Sequence, residues 1–399
     1  MNIRLYPTKL RGTVPAIASK SMAHRLLICA ALADTETRLL CGSLSQDITA
    51  TVQCLSALGA DIRNTGEGFL VSPGMGRSSS GLYCGESGST LRFLLPVAAA
   101  LGHSCLFHLA GRLSARPLSP LEEELIAHGV SISRPRENQL LLTGVLRPGA
   151  YTLPGNVSSQ FISGLLMALP LLNGASQLTV TGTMESAPYV DLTLEALGCF
   201  GAKVFRRDNV FILTPAAYHS PGTIQVEGDW SGAAFWFGAN AMGSRVTVTG
   251  LAKNSLQGDR AIGTLLAALG HNRTVDVSQT PDLFPILAVA ATAAEGSTHF
   301  MGGARLRLKE SDRIRSVAKL LHALGGITEE VPHGLTVHST SLKGGTVDSC
   351  ADHRIAMAAA VAATCCREPV TILDSEVTAK SYPGFWKDYI SLGGKIEEV

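Results

Sequence analysis

A pattern that recurs six times along the chain limits the possible folds more than any other feature of the sequence. Each copy has a polar residue or proline, then about ten residues with apolar positions at helical spacing, then a glycine and a strand-like segment. The first residue and the closing glycine pair as Asp47 with Gly59, Pro117 with Gly129, Asp191 with Gly201, Asp259 with Gly270, Asp312 with Gly325, and Pro383 with Gly393. Successive glycines lie 70, 72, 69, 55 and 68 residues apart. The pattern predicts six similar structural units.

Each copy is typical of a helix with defined ends. Aspartate accepts hydrogen bonds from the N–H groups of a first turn, proline suits that turn, and glycine takes the left-handed conformation after the last turn. Residues 177–181 and 245–249 alternate and are rich in branched side chains, as strands are. We therefore expect an α/β fold with three units in each of two domains, and a boundary near residues 222–229.

Length and composition agree with two folded domains. The chain has 399 residues, of which 46% are hydrophobic and 16% are charged, so disorder is excluded as its main state. The formal net charge is +1, which gives no overall field to hold a polyanion, and we expect no nucleic-acid partner. Residues 93–111 and 148–184 carry no charge, but prolines and polar residues interrupt both. We expect core segments and no membrane association.

The cysteines and the N-terminus indicate a reducing compartment. There are nine cysteines, an odd number with no C-x-x-C pair, and most lie in apolar runs, so we interpret them as reduced core residues. Residues 1–7 lack the apolar segment of a secretory signal. We therefore expect a cytoplasmic protein.

Four segments place hydroxyl groups, glycines or cations at the start of a predicted helix. They are residues 19–25, 85–92, 157–161 and 305–315. Helix N-termini with such side chains bind anions. Each segment alone is explained as well by an ordinary helix cap or by solvated charges, and residues 85–92 lack the Gly-Lys-Ser/Thr ending of a P-loop.

Together these segments resemble the 5-enolpyruvylshikimate-3-phosphate synthase family. The matching motifs are Ser19-Lys-Ser-x-x-x-Arg25, Gly85-x-x-Gly88-x-x-x-Arg92, Arg116-Pro117, Ser158-Ser-Gln160, Ser186-x-Pro-Tyr189, Glu227-Gly-Asp229, Pro281-Asp282, Lys309-Glu-Ser-Asp-Arg313, Asp352-His-Arg354 and Thr378-Ala-Lys380. They occur in the order of the family. Ten ordered matches exclude chance, although each motif alone is weak.

The resemblance implies two similar α/β domains, each made of three repeated βαβαββ units in the inside-out α/β barrel of the enolpyruvyl transferases. Residues 1–17 and 229–399 would form the domain on the phosphoenolpyruvate side. Residues 18–228 would form an inserted domain on the shikimate 3-phosphate side. The active site would lie in the interdomain cleft.

The resemblance also implies a reaction and its residues. The enzyme would transfer the enolpyruvyl group of phosphoenolpyruvate to the 5-hydroxyl of shikimate 3-phosphate, in the shikimate pathway. Shikimate 3-phosphate would be bound by Lys20, Ser21, Arg25, Ser158, Ser159, Gln160, Ser186, Tyr189, Asp282 and Lys309. Phosphoenolpyruvate would be bound by Lys20, Gly88, Arg116, Gln160, Arg313, Arg354 and Lys380. The catalytic residues would be Asp282 as the base, Lys309 and Glu310 for proton delivery, and Lys20. We expect no metal, no cofactor and a monomer.

The chain departs from the family pattern at three positions. Ala18 replaces the glycine common before Ser19-Lys-Ser, which is a minor change. Glu86 stands where the family usually has Asn, and a carboxylate repels a phosphate unless it is protonated, paired or turned away. Arg305 stands where some members have Asn near the shikimate phosphate. Two alternatives stay open. One is the related enzyme acting on UDP-N-acetylglucosamine, whose usual loop cysteine is absent from residues 111–117. The other is a non-catalytic ligand-binding paralogue.

Overall fold

The structure of the chain is a computed structural model that describes residues 1–42, 44–76 and 79–399. The helices of these ranges are α1 (Lys20–Ala31), α2 (Gln46–Ala57), α3 (Gly88–Ala100), α4 (Leu121–Ala127), α5 (Ser159–Ala168), α6 (Ala187–Cys199), α7 (Trp230–Ala241), α8 (Ile262–Ala267), α9 (Phe284–Ala291), α10 (Arg313–Ala323), α11 (His353–Ala363) and α12 (Phe385–Ser391). Short 3₁₀ helices cover Gly111–Ala115, Leu169–Leu171, Gly258–Ala261, Ala304–Leu308 and Ser375–Lys380.

The strands alternate with these helices along most of the chain. They are β1 (Ile3–Tyr6), β2 (Arg11–Pro15), β3 (Thr37–Leu40), β4 (Asp61–Asn64), β5 (Gly68–Ser72), β6 (Ser79–Gly85), β7 (Cys105–Leu109), β8 (Val130–Ser133), β9 (Gln139–Gly144), β10 (Ala150–Pro154), β11 (Ser176–Thr181), β12 (Val204–Arg207), β13 (Val210–Leu213), β14 (Thr223–Gln225), β15 (Arg245–Thr249), β16 (Arg273–Asp276), β17 (Ser297–Met301), β18 (Ile327–Val331), β19 (Gly334–His338), β20 (Gly345–Asp348), β21 (Val370–Leu373) and β22 (Lys395–Glu398).

The chain divides into two compact units. Met1–Ile17 and Gly228–Val399 form unit 1, and Ala18–Glu227 forms unit 2. The division places Gly228 in unit 1, one residue before the boundary expected from the family resemblance. In unit 1, the first strand β1 pairs with β21 and β22 from the end of the chain.

Five four-stranded sheets repeat one topology. In β6-β7-β9-β8, the helix α3 joins two parallel strands, and the hairpin β8–β9 adds two antiparallel strands. The sheets β14-β3-β5-β4, β10-β11-β13-β12, β16-β17-β19-β18 and β20-β21-β1-β22 have the same order. This arrangement confirms the predicted α/β class with repeated units.

One repeat is shorter than predicted. Strands β2 and β15 form a two-stranded parallel sheet. After α8 the chain enters β16 directly, through residues 268–272, all of which are described and contain no hairpin. This explains why Gly270 and Gly325 are 55 residues apart while the other closing glycines are separated by 68 to 72 residues.

The closing glycines mark helix ends as predicted. All six have positive φ, with Gly59 at 116°, Gly129 at 100°, Gly201 at 77°, Gly270 at 83°, Gly325 at 82° and Gly393 at 92°. The predicted helix starts are less accurate. Asp312 caps α10, but Asp191 lies inside α6, which begins at Ala187, and Pro117 precedes α4 by four residues. The start of α6 was missed because Pro188 suits a first turn as well as Asp191 does.

The core of each unit consists of helices buried on nearly every face. Every residue of α9 and of α11 is buried in unit 1, and α3 packs on α5 in unit 2. Gly164 permits this packing, because a Cβ there would lie 2.3 Å from the carbonyl oxygen of Arg92. The uncharged residues 93–111 and 148–184 form core elements, as expected. None of the described helices is long and apolar enough to cross a membrane.

Candidate active site

The start of α1 in unit 2 presents Lys20 beside a carboxylate. Ser19 caps the helix by accepting a hydrogen bond from the N–H of Met22. The ammonium of Lys20 lies 2.7 Å from Oδ2 of Asp47, in the first turn of α2. The predictions of site residues missed Asp47, because its position beside Lys20 depends on how α1 and α2 pack.

Arg25 is a buried structural residue in unit 2. Its Nε donates to the Thr193 hydroxyl at 2.7 Å, and its Nη2 donates to Ser163 Oγ at 3.2 Å. The guanidinium also donates to the carbonyls of Ser21 at 2.6 Å and Tyr189 at 2.8 Å. Burial lowers the pKa of Arg25 to about 10. These contacts connect α1 to α5 and α6, so Arg25 holds the backbone of two predicted ligand residues.

Two guanidinium groups meet over the start of α3. A Cβ on Gly88 would lie 2.9 Å from Nη1 of Arg116 and 2.9 Å from Nη1 of Arg92. Arg92 is 4% exposed and donates to Oε1 of Gln160 at 2.8 Å and to the carbonyl of Pro117 at 3.1 Å. Glycine at position 88 therefore leaves room for both cations at a helix N-terminus. Arg92 was absent from the predicted site residues, although it is the last residue of the Gly85-x-x-Gly88-x-x-x-Arg92 motif.

The start of α5 is connected to this group through Gln160. Its side-chain nitrogen donates to Ser89 Oγ at 2.9 Å, while Ser158 accepts from the Gln160 N–H at 3.3 Å. Ser159 is 7% exposed and opens α5. Ser186, with φ of 54°, precedes α6, which carries Tyr189. Unit 2 thus brings the starts of α3 and α5 together and, through Arg25, joins α1 to α6.

Glu86 faces Gly111 in unit 2. A Cβ on Gly111 would lie 2.4 Å from the carboxyl carbon of Glu86, and the φ of Gly111 is 52°. The carboxylate of Glu86 therefore packs against the backbone of Gly111, in the space that a side chain at position 111 would occupy.

Asp282 is the centre of a charged cluster in unit 1. Its Oδ1 lies 2.6 Å from Arg313 Nη1 and 3.6 Å from Lys309 Nζ, and its Oδ2 lies 2.9 Å from Arg354 Nη2. Burial alone would raise the pKa of Asp282, but Arg354, Lys309 and Arg313 together lower it well below its usual range. The carboxylate is therefore ionised and surrounded by cations.

Arg313 is held by acidic groups on three sides. Its Nε lies 2.9 Å from Oδ2 of Asp352, and its Nη2 lies 2.8 Å from Oε2 of Glu310. Asp352 also caps α11 and accepts a hydrogen bond from Ser311 Oγ at 3.0 Å. Because Arg313 is also bound to Asp282, its guanidinium is fixed in one orientation. Asp352 was not among the predicted site residues.

Lys309 and Lys380 differ in their surroundings. Burial, with Arg313 and Arg305 nearby, lowers the pKa of Lys309 to about 8, although Asp282 opposes this shift. Lys380 donates to the carbonyl of Ala351 at 2.9 Å, just before α11. Thus Asp282, Lys309, Glu310, Arg313 and Arg354 form one cluster, and Lys380 contacts the loop that precedes α11.

A second buried carboxylate, Asp259, interacts with the Asp282 cluster. It is 2% exposed and accepts a short hydrogen bond from the Ser231 hydroxyl. Burial and the charge of Asp282 raise the pKa of Asp259 to about 6, although Arg354 opposes the shift. The sequence indicated Asp259 only as the first residue of a helix, because its burial depends on α7, which carries Ser231.

Comparison with known proteins identifies the family. A family model described as EPSP synthase (3-phosphoshikimate 1-carboxyvinyltransferase) matches residues 6–389. The chain belongs to the EPSP synthase family. A relative from Clostridium kluyveri, named 3-phosphoshikimate 1-carboxyvinyltransferase, is 39% identical over 423 residues, covering 99% of this chain and 98% of the relative. A relative of the same name from Clostridioides difficile is 35% identical, and the match covers 100% of this chain and 98% of the relative.

Solved structures agree with this membership. An EPSP synthase from Acinetobacter baumannii superposes with a TM-score of 0.82 at 25% identity, covering 100% of both chains. The enolpyruvyl transferase NikO from Streptomyces tendae has a TM-score of 0.79 at 17% identity, covering 100% of this chain and 98% of its own. The second comparison, at 17% identity, shows a likeness of fold alone. The resemblance to the EPSP synthase family stated from the sequence is therefore confirmed.

Proposed function

We propose that this chain is a 3-phosphoshikimate 1-carboxyvinyltransferase. It transfers the enolpyruvyl group of phosphoenolpyruvate to the 5-hydroxyl of shikimate 3-phosphate and releases phosphate, on the route to chorismate and the aromatic amino acids. The observation that carries the proposal is Asp282, a carboxylate held by Arg313, Arg354 and Lys309 in a member of this family. A base surrounded by cations suits a reaction between two anionic substrates.

The reaction is an addition followed by an elimination. The 5-hydroxyl oxygen bonds to C2 of phosphoenolpyruvate, the hydroxyl proton passes to a base, and the methylene carbon takes up a proton. The bond from C2 to the phosphate oxygen then breaks, phosphate leaves, and the new methyl group loses a proton to restore the double bond. The chemistry needs a base, an acid and cations on the leaving group, and we assign no metal or cofactor to it.

Asp282 is assigned as the base for the 5-hydroxyl. In the ligand-free protein its low pKa makes it a weak base. When the phosphate and carboxylate of the substrates bind Arg313, Arg354 and Lys309, these cations stabilise the Asp282 carboxylate less. Its pKa then rises, so substrate binding itself prepares the base.

Lys309 and Glu310 are assigned to proton delivery at the methylene carbon. A lysine with a pKa of about 8 is mostly protonated at neutral pH and still gives up its proton readily. Glu310 binds Arg313 at 2.8 Å, which places both acid candidates beside the same guanidinium. Arg313, Arg354 and Lys380 would bind phosphoenolpyruvate from unit 1.

Unit 2 supplies the other ligand residues. Lys20, Gly88, Arg116 and Gln160 would bind phosphoenolpyruvate, and Arg92 joins them on the basis of its contact with Gln160. Lys20, Ser21, Ser158, Ser159, Gln160, Ser186 and Tyr189 would bind shikimate 3-phosphate, together with Asp282 and Lys309. Arg25 was assigned to this substrate from the sequence, but its buried contacts support an indirect role in which it holds Ser21 and Tyr189.

Acceptor specificity tests the proposal. Purified protein is given phosphoenolpyruvate with shikimate 3-phosphate in one reaction and with UDP-N-acetylglucosamine in another, and phosphate release is followed. We expect release only with shikimate 3-phosphate. Release only with the nucleotide sugar would contradict the proposal. Binding of shikimate 3-phosphate without turnover would indicate the non-catalytic paralogue. The monomeric state and the cytoplasmic location remain predictions.

A further inference from the structure

Four buried side chains of unit 2 form a continuous chain of hydrogen bonds. Nδ1 of His24 lies 2.7 Å from Thr51 Oγ1, which lies 2.7 Å from Thr90 Oγ1, which lies 2.7 Å from Ser87 Oγ. The exposed fractions are 0% for His24, Thr51 and Thr90 and 1% for Ser87. The chain therefore runs from the core to the residue that caps α3.

The protons of this chain have one consistent direction. The Thr90 hydroxyl has two acceptors in reach, Ser87 Oγ at 2.7 Å and the Asp47 carbonyl at 3.5 Å, and the shorter distance assigns its proton to Ser87. A hydroxyl has a single proton, so Thr51 must be the donor to Thr90, and Nδ1–H of His24 must be the donor to Thr51. Burial, with Lys20 and Arg25 nearby, keeps the pKa of His24 well below its usual range, so the ring is neutral and carries one N–H. His24 Nε2 has no hydrogen-bond partner among the residues that the structure describes, which agrees with placing that N–H on Nδ1.

This direction matters for anion binding. The N–H of His24 and the hydroxyls of Thr51 and Thr90 each point their positive end towards Ser87, at the N-terminus of α3. The dipole of α3 is also positive there, and the two effects add. Ser87 further accepts from the N–H of Thr90 at 3.2 Å, which fixes the first turn beside Gly88 and Arg92.

We propose that His24 is a positioning residue for phosphoenolpyruvate. By donating from Nδ1 it sets the direction of the Thr51–Thr90–Ser87 chain, and through it the geometry and the potential at the start of α3. The inference rests on the proposed function, because it takes phosphoenolpyruvate as the anion bound there. His24 does not touch the substrate in this account, and it acts through the three hydroxyl groups.

Paired variants test the role. Thr51→Val removes the hydroxyl while keeping the side-chain shape, and Thr51→Ser restores it. His24→Leu removes the donor, while His24→Asn keeps an amide near the position of Nδ1. Thr364→Val, which removes another buried hydroxyl far along the sequence in unit 1, is the matched control. Turnover number and KM for each substrate are measured with thermal unfolding of every variant.

We expect Thr51→Val and His24→Leu to raise the KM for phosphoenolpyruvate about threefold to tenfold, the size of a helix-terminus effect. Turnover number and the KM for shikimate 3-phosphate should stay within about twofold of the wild type, since neither depends on the α3 potential in this account. Thr51→Ser, His24→Asn and the Thr364→Val control should resemble the wild type. Equal increases in both KM values, or activity lost only in proportion to unfolded protein, would overturn the proposal.

A second measurement does not depend on turnover. ¹⁵N NMR of the His24 ring distinguishes a protonated nitrogen from a bare one, and we expect the proton on Nδ1. A proton on Nε2 would overturn the proposed direction. If the wild type shows no turnover, the proposed function fails by itself. Titration with inorganic phosphate then decides the positioning role, which predicts weaker binding by Thr51→Val than by Thr51→Ser and is contradicted by equal binding.

Discussion

The guanidinium of Arg313 lies 2.6 Å from Oδ1 of Asp282. Arg354 binds the other carboxylate oxygen at 2.9 Å, so the proposed base lies between two cations that are themselves proposed ligands of phosphoenolpyruvate. In the proposed function, the same side chains hold Asp282 ionised before the substrates arrive and would bind their anionic groups afterwards. This exchange links substrate binding to the basicity of Asp282.

Replacing Asp282 by Asn should abolish most turnover without unfolding the protein. The amide cannot accept the hydroxyl proton, and loss of a general base costs about a hundredfold or more in rate. Steady-state kinetics with both substrates measures the loss, and circular dichroism checks the fold. Asp348→Asn is the control, because its side chain accepts from the N–H of Cys350 and an amide can do the same. Normal turnover in Asp282→Asn would show that Asp282 is not the base.

The pH profile of kcat/KM should fall on its alkaline side near the pKa of Lys309. As the proposed proton donor, Lys309 must be protonated in the free enzyme, and its pKa is about 8, so activity should be retained below that pH and lost as pH rises through it. In Lys309→Arg the group stays charged, so this limb should disappear although the rate is lower. If kcat/KM of Lys309→Arg still falls near pH 8, the titrating group is a residue other than Lys309.

Asp259 should make stability depend on pH. Its pKa in the folded protein is about 6, above the ordinary 3.8. The protonated form is thus favoured by folding, and its stabilisation is complete below pH 3.8 and lost as pH rises through 6. Asp259→Asn has no carboxylate to ionise, so it does not lose this stabilisation. From pH 4 to pH 8 its free energy of unfolding should rise by up to about 3 kcal/mol relative to that of the wild type. Chemical denaturation at both pH values measures the gain, and a difference that does not change with pH would contradict it.

Arg25→Lys should destabilise the protein. Lysine cannot reproduce the three hydrogen bonds that join α1 to α5 and α6 together with the one to the Ser21 carbonyl within α1, and unsatisfied buried acceptors remain. We expect the free energy of unfolding to fall by about 2 to 4 kcal/mol. Arg63→Lys, in an exposed pair with Asp61, is the control and should leave the free energy of unfolding nearly unchanged. Similar losses in both variants would show that Arg25 has no special structural role.

Gly111→Ala should weaken phosphoenolpyruvate binding. The new Cβ would overlap the carboxylate of Glu86, which must then move from its place two residues before Gly88. A displaced negative charge near the α3 anion site raises the KM for phosphoenolpyruvate. Gly66→Ala is the control, since Gly66 has φ of 79° and no atom of the described part of the chain lies within 4 Å of the added Cβ. If both variants raise this KM equally, backbone strain and not Glu86 is the cause.

Features set by local chemistry could be predicted from the sequence. A glycine after a helix is specified by the left-handed turn it must make, and Gly59 and Gly325 confirm this at positions far apart in the chain. The role of Arg25 could not be predicted in the same way, because its partner Thr193 is 168 residues away. The raised pKa of Asp259 likewise depends on burial against α7. The sequence motifs identified candidate residues, and long-range packing decides which of them face a ligand.

The most direct test of the central claim follows the enolpyruvyl carbons themselves. Phosphoenolpyruvate labelled with ¹³C at C2 is incubated with shikimate 3-phosphate and the protein, and the products are examined by NMR and mass spectrometry. We predict that the label appears in an enol ether at the 5-oxygen of shikimate 3-phosphate, with one phosphate released per molecule formed. Label that stays in phosphoenolpyruvate, or that appears in free pyruvate while shikimate 3-phosphate is bound and unchanged, would contradict enolpyruvyl transfer by this chain.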